Sequence, residues 1–311
     1  MVTLRQLRYF DALARHGHFG RAAAECAVTQ PALSQQIRDL EAFLGTALVE
    51  RHPGRIVITD AGLECARRAR AVLEDVGDLV EVIRRQETGL GGRLRLGIIP
   101  SVAPYLLPAV LPEIHRRHPA LDLEIREALT GLLTEDLVAG RLDAVVMALP
   151  AEGTGLIEAP LFEDRFLLAT RRNAGRAEPE LADVSTLAQE RLLLLEEGHC
   201  LREQALTYCR AINPVVRNEF GATSLATIVQ MVANGYGVTL LPEIAVRSGV
   251  VAGDPRISVL PFRDPQPSRT IGLVWRRSSR RTKDFREFAA LVREALAPKG
   301  AKGARPLQRV G

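Results

Sequence analysis

The stretch Thr29-Gln30-Pro31-Ala32-Leu33-Ser34-Gln35-Gln36-Ile37-Arg38-Asp39-Leu40 decides how the front of the chain folds. Thr29 is a good N-cap and Pro31 falls in the first turn, where its missing N–H costs nothing, so a helix begins near Gln30. Leu33, Ile37 and Leu40, with Leu44 as a fourth position, make its buried stripe, leaving Gln30, Ser34, Gln35 and Arg38 on the other side. Upstream, Leu4, Leu7, Phe10, Leu13 and Ala14 predict an amphipathic helix ending near Gly17, with a short Ala-rich segment, Arg21 to Cys26, between the two. This is a helix-turn-helix layout.

Working outward, Leu48 to Arg51 and Arg55 to Ile58 are two short β-type runs around His52-Pro53-Gly54, a hairpin that reads as a wing beside the second helix. Thr59 or Asp60 then caps a helix running to about Glu87. In it Ala66, Ala69, Leu73, Val76, Val80 and Ile83 are spaced as an a/d seam, which predicts pairing with a second copy. Thr88-Gly89-Leu90-Gly91-Gly92 breaks that helix and offers a hinge. Beyond it, strand-like runs such as Arg93 to Ile99, Leu142 to Leu149 and Thr270 to Trp275 alternate with helical segments such as Tyr105 to Arg117 and Leu201 to Arg210. That alternation predicts parallel α/β sheets, and about 200 residues suffice for two lobes around a cleft. The domains expected are therefore 1–59 (winged helix-turn-helix), 60–88 (linker and dimerisation helix), 89–297 (a two-lobed, Rossmann-like effector domain) and 298–311 (a basic, disordered tail).

The 311 residues, 47% hydrophobic and 25% charged with 25 Gly and 18 Pro, describe an ordinary globular protein and exclude disordered or collagen-like chains. The start, Met1-Val2-Thr3-Leu4-Arg5, forms no apolar signal core, and no run of 18 apolar residues occurs, so a cytoplasmic protein with no membrane partner is expected. Net charge is uneven: +2 over residues 1–95, −6 over 96–275 and +8 over 276–311, which suggests different partners for different parts. Four cysteines are too few for a disulfide scaffold in a chain of this length. Cys26 and Cys65 are read as packing residues. His16, His18, His52, His115 and His118 form no metal-ligand pattern with them, so no metal or cofactor is expected.

A recognition helix reads base edges with amides and hydroxyls near its N-terminus, which singles out Gln30, Ser34 and Gln35, with Pro31 shaping the first turn. Arg5, Arg38, Arg51 and Arg55 are placed to meet phosphates, which position the domain without specifying sequence. Double-stranded DNA is the partner this constellation implies. The segments Leu4-Arg5-Gln6-Leu7-Arg8-Tyr9-Phe10, Gly17-His18-Phe19-Gly20-Arg21-Ala22-Ala23, Thr29 to Ile37 and Thr59-Asp60-Ala61-Gly62 together resemble the N-terminal domain of LysR-type transcriptional regulators. The resemblance implies a winged helix-turn-helix, a linker-helix dimer and an effector domain of the periplasmic-binding-protein type II kind, usually in a homotetramer, with RNA polymerase as a further partner.

Cys200 and Cys209 lie nine residues apart. If the segment between them is helical it rises about 13.5 Å, whereas a disulfide needs Cα atoms within roughly 7 Å, so helix and bond exclude one another. Oxidation would then become a change of shape. Spacing alone leaves both a redox pair and two independently packed cysteines open. The run Leu193-Leu194-Leu195-Glu196-Glu197-Gly198-His199-Cys200-Leu201-Arg202-Glu203-Gln204-Ala205, followed by Cys209, resembles the sensing segment of the peroxide-responsive members of the LysR family. Leu96-Gly97-Ile98-Ile99-Pro100 and Arg269-Thr270-Ile271-Gly272-Leu273-Val274 agree with it. That resemblance implies hydrogen peroxide as the signal, Cys200 as peroxidatic and Cys209 as resolving cysteine, and His199, Ser101 and Thr130 as peroxide contacts. It makes Arg202 and Arg269 neighbours that stabilise charge or the reduced arrangement. Where the family commonly has threonine this chain has Ser101, which keeps the hydroxyl and loses the methyl that restricts its rotamer.

The expectation is a stoichiometric peroxide sensor and not a turnover enzyme. Its rival is a LysR regulator with a small organic effector in the inter-lobe cleft, contacted by Ser101, Thr130 and Thr223. A thiol peroxidase would need sustained turnover, and a periplasmic solute-binding protein would need export.

Overall fold

The computed structural model describes residues 1–52, 55–84, 90–172, 180–183, 187, 190–209, 215–216, 222–249 and 254–297. Two compact units are present, one of Met1–Thr88 with Val138–Arg141 and one of Gly89–Leu137 with Leu142 onward.

In the first unit Thr3 caps α1 (Leu4–His16) through a capping box: Gln6 N donates to Thr3 Oγ1 at 3.2 Å and Thr3 N to Gln6 Oε1 at 3.0 Å. The Ala-rich segment is itself a helix, α2 (Phe19–Glu25), capped by His18, whose Nδ1 accepts from Gly20 N and Arg21 N. Sequence periodicity missed it because seven residues are too few to show a stripe. The third helix, α3 (Gln30–Leu44), starts at Thr29 with Pro31 in its first turn. Leu33, Ile37 and Leu40 are fully buried with Phe10, Leu13 and Ala22. Leu44, expected in the stripe, is 42% exposed, because the helix ends there and the side chain lines an open apolar groove with Leu4 and Val72.

The hairpin is present as β1 (Val49–His52) antiparallel to β2 (Arg55–Ile58), with Val49 opposite Ile58 and His52 opposite Arg55; its tip, residues 53–54, lies outside the described residues. Next comes α4 (Asp60–Arg84), whose cap is Thr59: Gly62 N donates to Thr59 Oγ1 at 3.0 Å. The seam expected to face a second copy begins inside the unit. Ala66 and Ala69 are buried, and α4 packs along α1 with Arg70 Nε donating to Asp11 Oδ1 at 2.7 Å. Two small side chains let the helix axes approach closely, which an isolated heptad pattern does not reveal. Leu73 and Val76 are half-buried, and the side chains of Val80 and Ile83 lie outside the described residues. Leu63, Val72 and Leu79 of α4 are exposed.

The second unit contains β3 (Gly92–Ile98), α5 (Ala103–Arg117), β4 (Leu121–Glu127), α6 (Thr130–Val138), β5 (Ala144–Leu149) and β6 (Leu156–Arg171), then β7 (Arg191–Leu192), α7 (Cys200–Cys209) and β8 (Val215–Val216). It closes with α8 (Leu225–Ala233), β9 (Thr239–Pro242), α9 (Glu243–Arg247), β10 (Ile257–Pro261), β11 (Ser268–Arg276) and α10 (Thr282–Leu296). β3 is parallel to β4 and to β5, as the alternation of strands and helices predicts. The remainder corrects that expectation: β11 runs antiparallel to β5 and β6, and β9 and β10 run antiparallel to β6. Antiparallel neighbours need no crossover helix, so a returning strand such as β11 escapes a pattern built on βαβ units.

The strand that joins the lobes is β6. Up to Arg165 it pairs with β11, and from Phe166 it pairs with β9 and β10, so one continuous strand belongs to both sheets. Trp275 and Phe285 pack tilted at 5.5 Å beneath the first sheet. The tail 298–311 lies outside the described residues, within which no helix is long and apolar enough to cross a membrane.

Gly62 fixes the first turn of α4 against the wing. A Cβ there would stand 2.3 Å from the Leu48 carbonyl oxygen and 2.7 Å from Ile58 Cγ2. Gly62→Ala is expected to destabilise the protein by about 1–3 kcal/mol or more, read as a lower midpoint in urea at unchanged slope.

Candidate functional site

Two groups of residues carry chemistry, one in each unit. In the first, Gln30, Pro31, Gln35 and Arg38 are exposed on α3 and Ser34 is half-buried. Three of them are already bonded locally: Arg38 Nη1 donates to Ser34 Oγ at 3.1 Å, Arg38 Nη2 to Gln35 Oε1 at 2.7 Å, and Gln35 Nε2 to Asp39 Oδ1 at 2.8 Å. Arg5 and Arg55 are exposed and make no ion pair among the described residues. Arg51 differs, being paired with Glu41 at 3.0 Å and lying over the Phe19 ring at 5.8 Å. Glu41 was not anticipated: its Oε1 accepts from Leu48 N at 2.9 Å and Val49 N at 3.1 Å, which latches the hairpin to α3.

In the second unit α7 begins at Cys200 and ends at Cys209, one continuous helix of 10 residues. Its ends are therefore about 13.5 Å apart along the axis, beyond the roughly 7 Å a disulfide spans. Cys200 is a free thiol, half-buried, at the N-terminus of the helix. The side chain of Cys209 lies outside the described residues. Leu201 and Ala205 are the fully buried anchors of the helix, and Tyr208 meets Phe262 edge-on at 5.7 Å.

The turn leading into α7 is held from several sides. Glu196 N donates to Ala222 O at 3.1 Å, and Arg202 Nη1 donates to Leu195 O at 3.1 Å, closing the helix start onto the strand before it. Gly198 has φ +89°, and a Cβ there would lie 3.0 Å from Leu129 Cδ1. That contact brings the His199 turn against the start of α6, where Thr130 Oγ1 is buried without a hydrogen-bond partner among the described residues. His199 is 8% exposed, and burial pushes its imidazole below the ordinary value of 6.5, with Glu196 opposing, so the ring is neutral at pH 7.

Ser101 and Arg269 are brought into direct contact. Arg269 Nη1 donates to Ser101 Oγ at 2.9 Å and Nη2 to Ser101 O at 3.3 Å. The guanidinium is also held by Asp164, with Nε at 3.0 Å and Nη2 at 2.9 Å from Oδ2, and both side chains are 1% exposed. Arg269 is thus already matched by a buried carboxylate. Thr223 is exposed beside Ser224, which caps α8. Cys26 and Cys65 are half-buried in the first unit, and burial pushes both thiols up, as packing residues require.

Asp164 escaped the sequence reading, although a signal exists: in Phe162-Glu163-Asp164-Arg165-Phe166-Leu167-Leu168 it occupies the apolar phase of the strand. An acid in that register needs a buried cation.

Residues 4–63 match the bacterial regulatory helix-turn-helix protein family of the lysR type, and residues 87–297 match the LysR substrate binding domain. The chain belongs to the LysR family of transcriptional regulators. This LysR-family chain is 42% identical over 300 residues to the DNA-binding transcriptional dual regulator OxyR of Escherichia coli, covering 95% of this chain and 96% of that one. It is 43% identical over 295 residues, 94% of each chain, to a probable hydrogen peroxide-inducible genes activator of Streptomyces viridosporus. Among solved structures, a full-length OxyR variant from Pseudomonas aeruginosa aligns with a TM-score of 0.77 at 35% identity, over 94% of this chain and 95% of that one. A hydrogen-peroxide-bound OxyR variant from Corynebacterium glutamicum aligns at 0.64 and 35% identity, over 94% of each chain. The regulator is thus OxyR-like across both units.

Because His199 is neutral when buried, the unfolded chain binds its proton more readily than the native one, and stability falls as pH drops below about 6.5. The difference in Tm between wild type and His199→Asn is expected to shrink between pH 7.5 and 5.5. A difference independent of pH would show that the native ring titrates like a free one.

Proposed function

We propose that this regulator senses hydrogen peroxide in the cytoplasm through Cys200 and Cys209, and that the resulting disulfide unwinds α7 and repositions the DNA-binding units of a homodimer or homotetramer on double-stranded DNA. The observation that carries the reading is that one ten-residue helix separates the two cysteines, so the helix and the Cys200–Cys209 bond cannot coexist. The kinship with peroxide-inducible activators supplies the oxidant.

The chemistry balances. The Cys200 thiolate attacks one peroxide oxygen; an S–O bond forms as the O–O bond breaks, and the departing hydroxide takes a proton and leaves as water. The Cys209 sulfur then attacks the sulfenic acid, an S–S bond forms and a second water leaves. Two electrons pass from the thiols to peroxide. The neutral His199 imidazole, the Ser101 hydroxyl and the unpartnered Thr130 hydroxyl are the groups that would hold and polarise the peroxide, while Arg202 keeps the turn before Cys200 closed. No turnover is required, only later reduction of the bond.

Unwinding α7 costs little, since a helix of ten residues is marginal by itself and this one buries two side chains completely. On the DNA side, Gln30, Ser34 and Gln35 meet base edges, with Pro31 fixing the first turn, while Arg5 and Arg55 meet phosphates. Arg38 and Arg51 join them by exchanging their internal partners for phosphate. The exposed Val72 and Leu79 of α4, seven residues apart on one face, are the apolar surface a second copy would cover. RNA polymerase completes the partners of an activator.

Peptide mapping and intact mass after about one equivalent of hydrogen peroxide test the sensor. A rapid Cys200–Cys209 disulfide is expected in the wild type, with a trapped sulfenic acid in Cys209→Ser and no oxidation in Cys200→Ser. Oxidation that needs a large excess of peroxide would sink the reading and favour an organic effector in the cleft. On DNA, Gln30→Ala and Ser34→Ala are expected to reduce the ratio of specific to non-specific affinity by about tenfold each, leaving the salt dependence unchanged. Normal discrimination by both variants would reject the assignment of α3 as the reading helix.

A further inference from the structure

The Asp164–Arg269–Ser101 chain lies at the place where the lobes are joined. Asp164 and Arg269 are opposite one another in the β6–β11 register, at the end of that pairing, two residues before β6 takes up β9 and β10. Ser101 follows β3, on the other side of the first sheet, and reaches the same guanidinium. Asp164 Oδ1 accepts in addition from Ile244 N at 3.0 Å, so both carboxylate oxygens are fixed.

The donor and acceptor inventory determines what this arrangement does to Ser101. A guanidinium has only N–H donors, and a serine hydroxyl has one proton and two lone pairs. Since Arg269 Nη1 donates to Ser101 Oγ at 2.9 Å, that oxygen accepts on its arginine side and its own proton must point elsewhere. The hydroxyl is thereby made a donor. A serine, unlike a threonine, has no methyl on Cβ to restrict its rotamer, so the orientation depends on the partner. The partner is in turn immobilised by Asp164, whose two contacts to Nε and Nη2 leave Nη1 aimed at Ser101. A lysine at 269 would supply the charge without the fork.

We infer that Asp164 is a positioning residue for the peroxide reaction: by fixing the Arg269 fork it turns the Ser101 hydroxyl into a donor presented to the peroxide oxygen that departs as hydroxide. This inference rests on the peroxide-sensing reading above. Asp164 touches neither sulfur nor peroxide and acts only through Arg269 and Ser101.

The test is a double-mutant cycle on the full chain, reading the second-order rate of Cys200 oxidation by hydrogen peroxide, with alkylation of Cys200 by iodoacetamide as a reaction that needs no hydroxyl donor. Asp164→Asn is expected to slow the peroxide reaction by about tenfold or more while changing alkylation by less than about twofold. In a Ser101→Ala background the same substitution is expected to cost less than about twofold, because the hydroxyl it positions is gone. Arg269→Lys is expected to follow the same pattern, and it decides the matter should Asp164→Asn fail to fold, as judged by thermal unfolding. Costs that multiply across Asp164 and Ser101, or a fall in alkylation equal to the fall in oxidation, would overturn the inference and leave a structural salt bridge. A wild type that is itself slow with stoichiometric peroxide would overturn the peroxide reading, and this inference with it.

Discussion

The second unit is organised around a buried ion pair. Asp164 and Arg269 are both 1% exposed, and taking two such charges out of water costs several kcal/mol per ion unless every donor and acceptor is met. They are met: the carboxylate receives Nε, Nη2 and the Ile244 amide, and the remaining guanidinium N–H groups reach the oxygens of Ser101. Burial pushes the Asp164 carboxyl up, and the adjacent Arg269 charge pulls against it. Register follows from this requirement. A shift of β6 by one residue against β11 would put Glu163 or Arg165 in the buried position and turn Asp164 to solvent, so the pair pins the strand shared by both lobes.

The helix α7 is built differently. Where the ion pair is held on every side by buried polar bonds, the contacts of α7 include the buried Leu201 and Ala205, an edge-on Tyr208 and an arginine closing its first turn. On the proposed reading the two are complementary. A local rearrangement can leave the lobes intact only if what joins them is much harder to open than what moves. Cys200 is packed against the main apolar cluster, so the proposed bond to Cys209 would have to withdraw it from that packing.

What was legible in the sequence follows from how locally each feature is determined. The caps at Thr29 and Thr59, the stripe Leu33–Ile37–Leu40 and the wing depend on neighbours within a few residues, and the structure has them all. Leu44 fails because burial at a helix end depends on what passes over it. Ala66 and Ala69 carry a genuine apolar period, but the period does not say whether α1 or a second chain covers it. The antiparallel part of the sheet was hidden for a related reason: β6 is 16 residues long and changes partners midway, and charged residues such as Glu158, Glu163 and Arg165 interrupt its apolar runs. Around the cysteines, spacing gave the incompatibility of helix and disulfide, while Asp164 lies 105 residues from Arg269 and pairs with it only after two sheets have formed.

The recognition face shows how the same economy of donors operates at an interface still to be filled. Arg38 is bonded to Ser34 and Gln35, and Gln35 to Asp39, so in the free protein these groups satisfy one another. If this face docks on DNA as proposed, those bonds would be exchanged for others, and the net gain at each position would be the difference between two hydrogen bonds of similar strength. Correct base edges would return what the exchange gives up and incorrect ones would not, which would convert a pre-satisfied surface into discrimination. On the proposed reading, Arg5 and Arg55, with no internal partner among the described residues, would lose nothing on meeting phosphate. Affinity would then rest on these arginines and specificity on the amides, and Glu41, by latching the wing to α3, keeps the two sets of groups in one fixed frame.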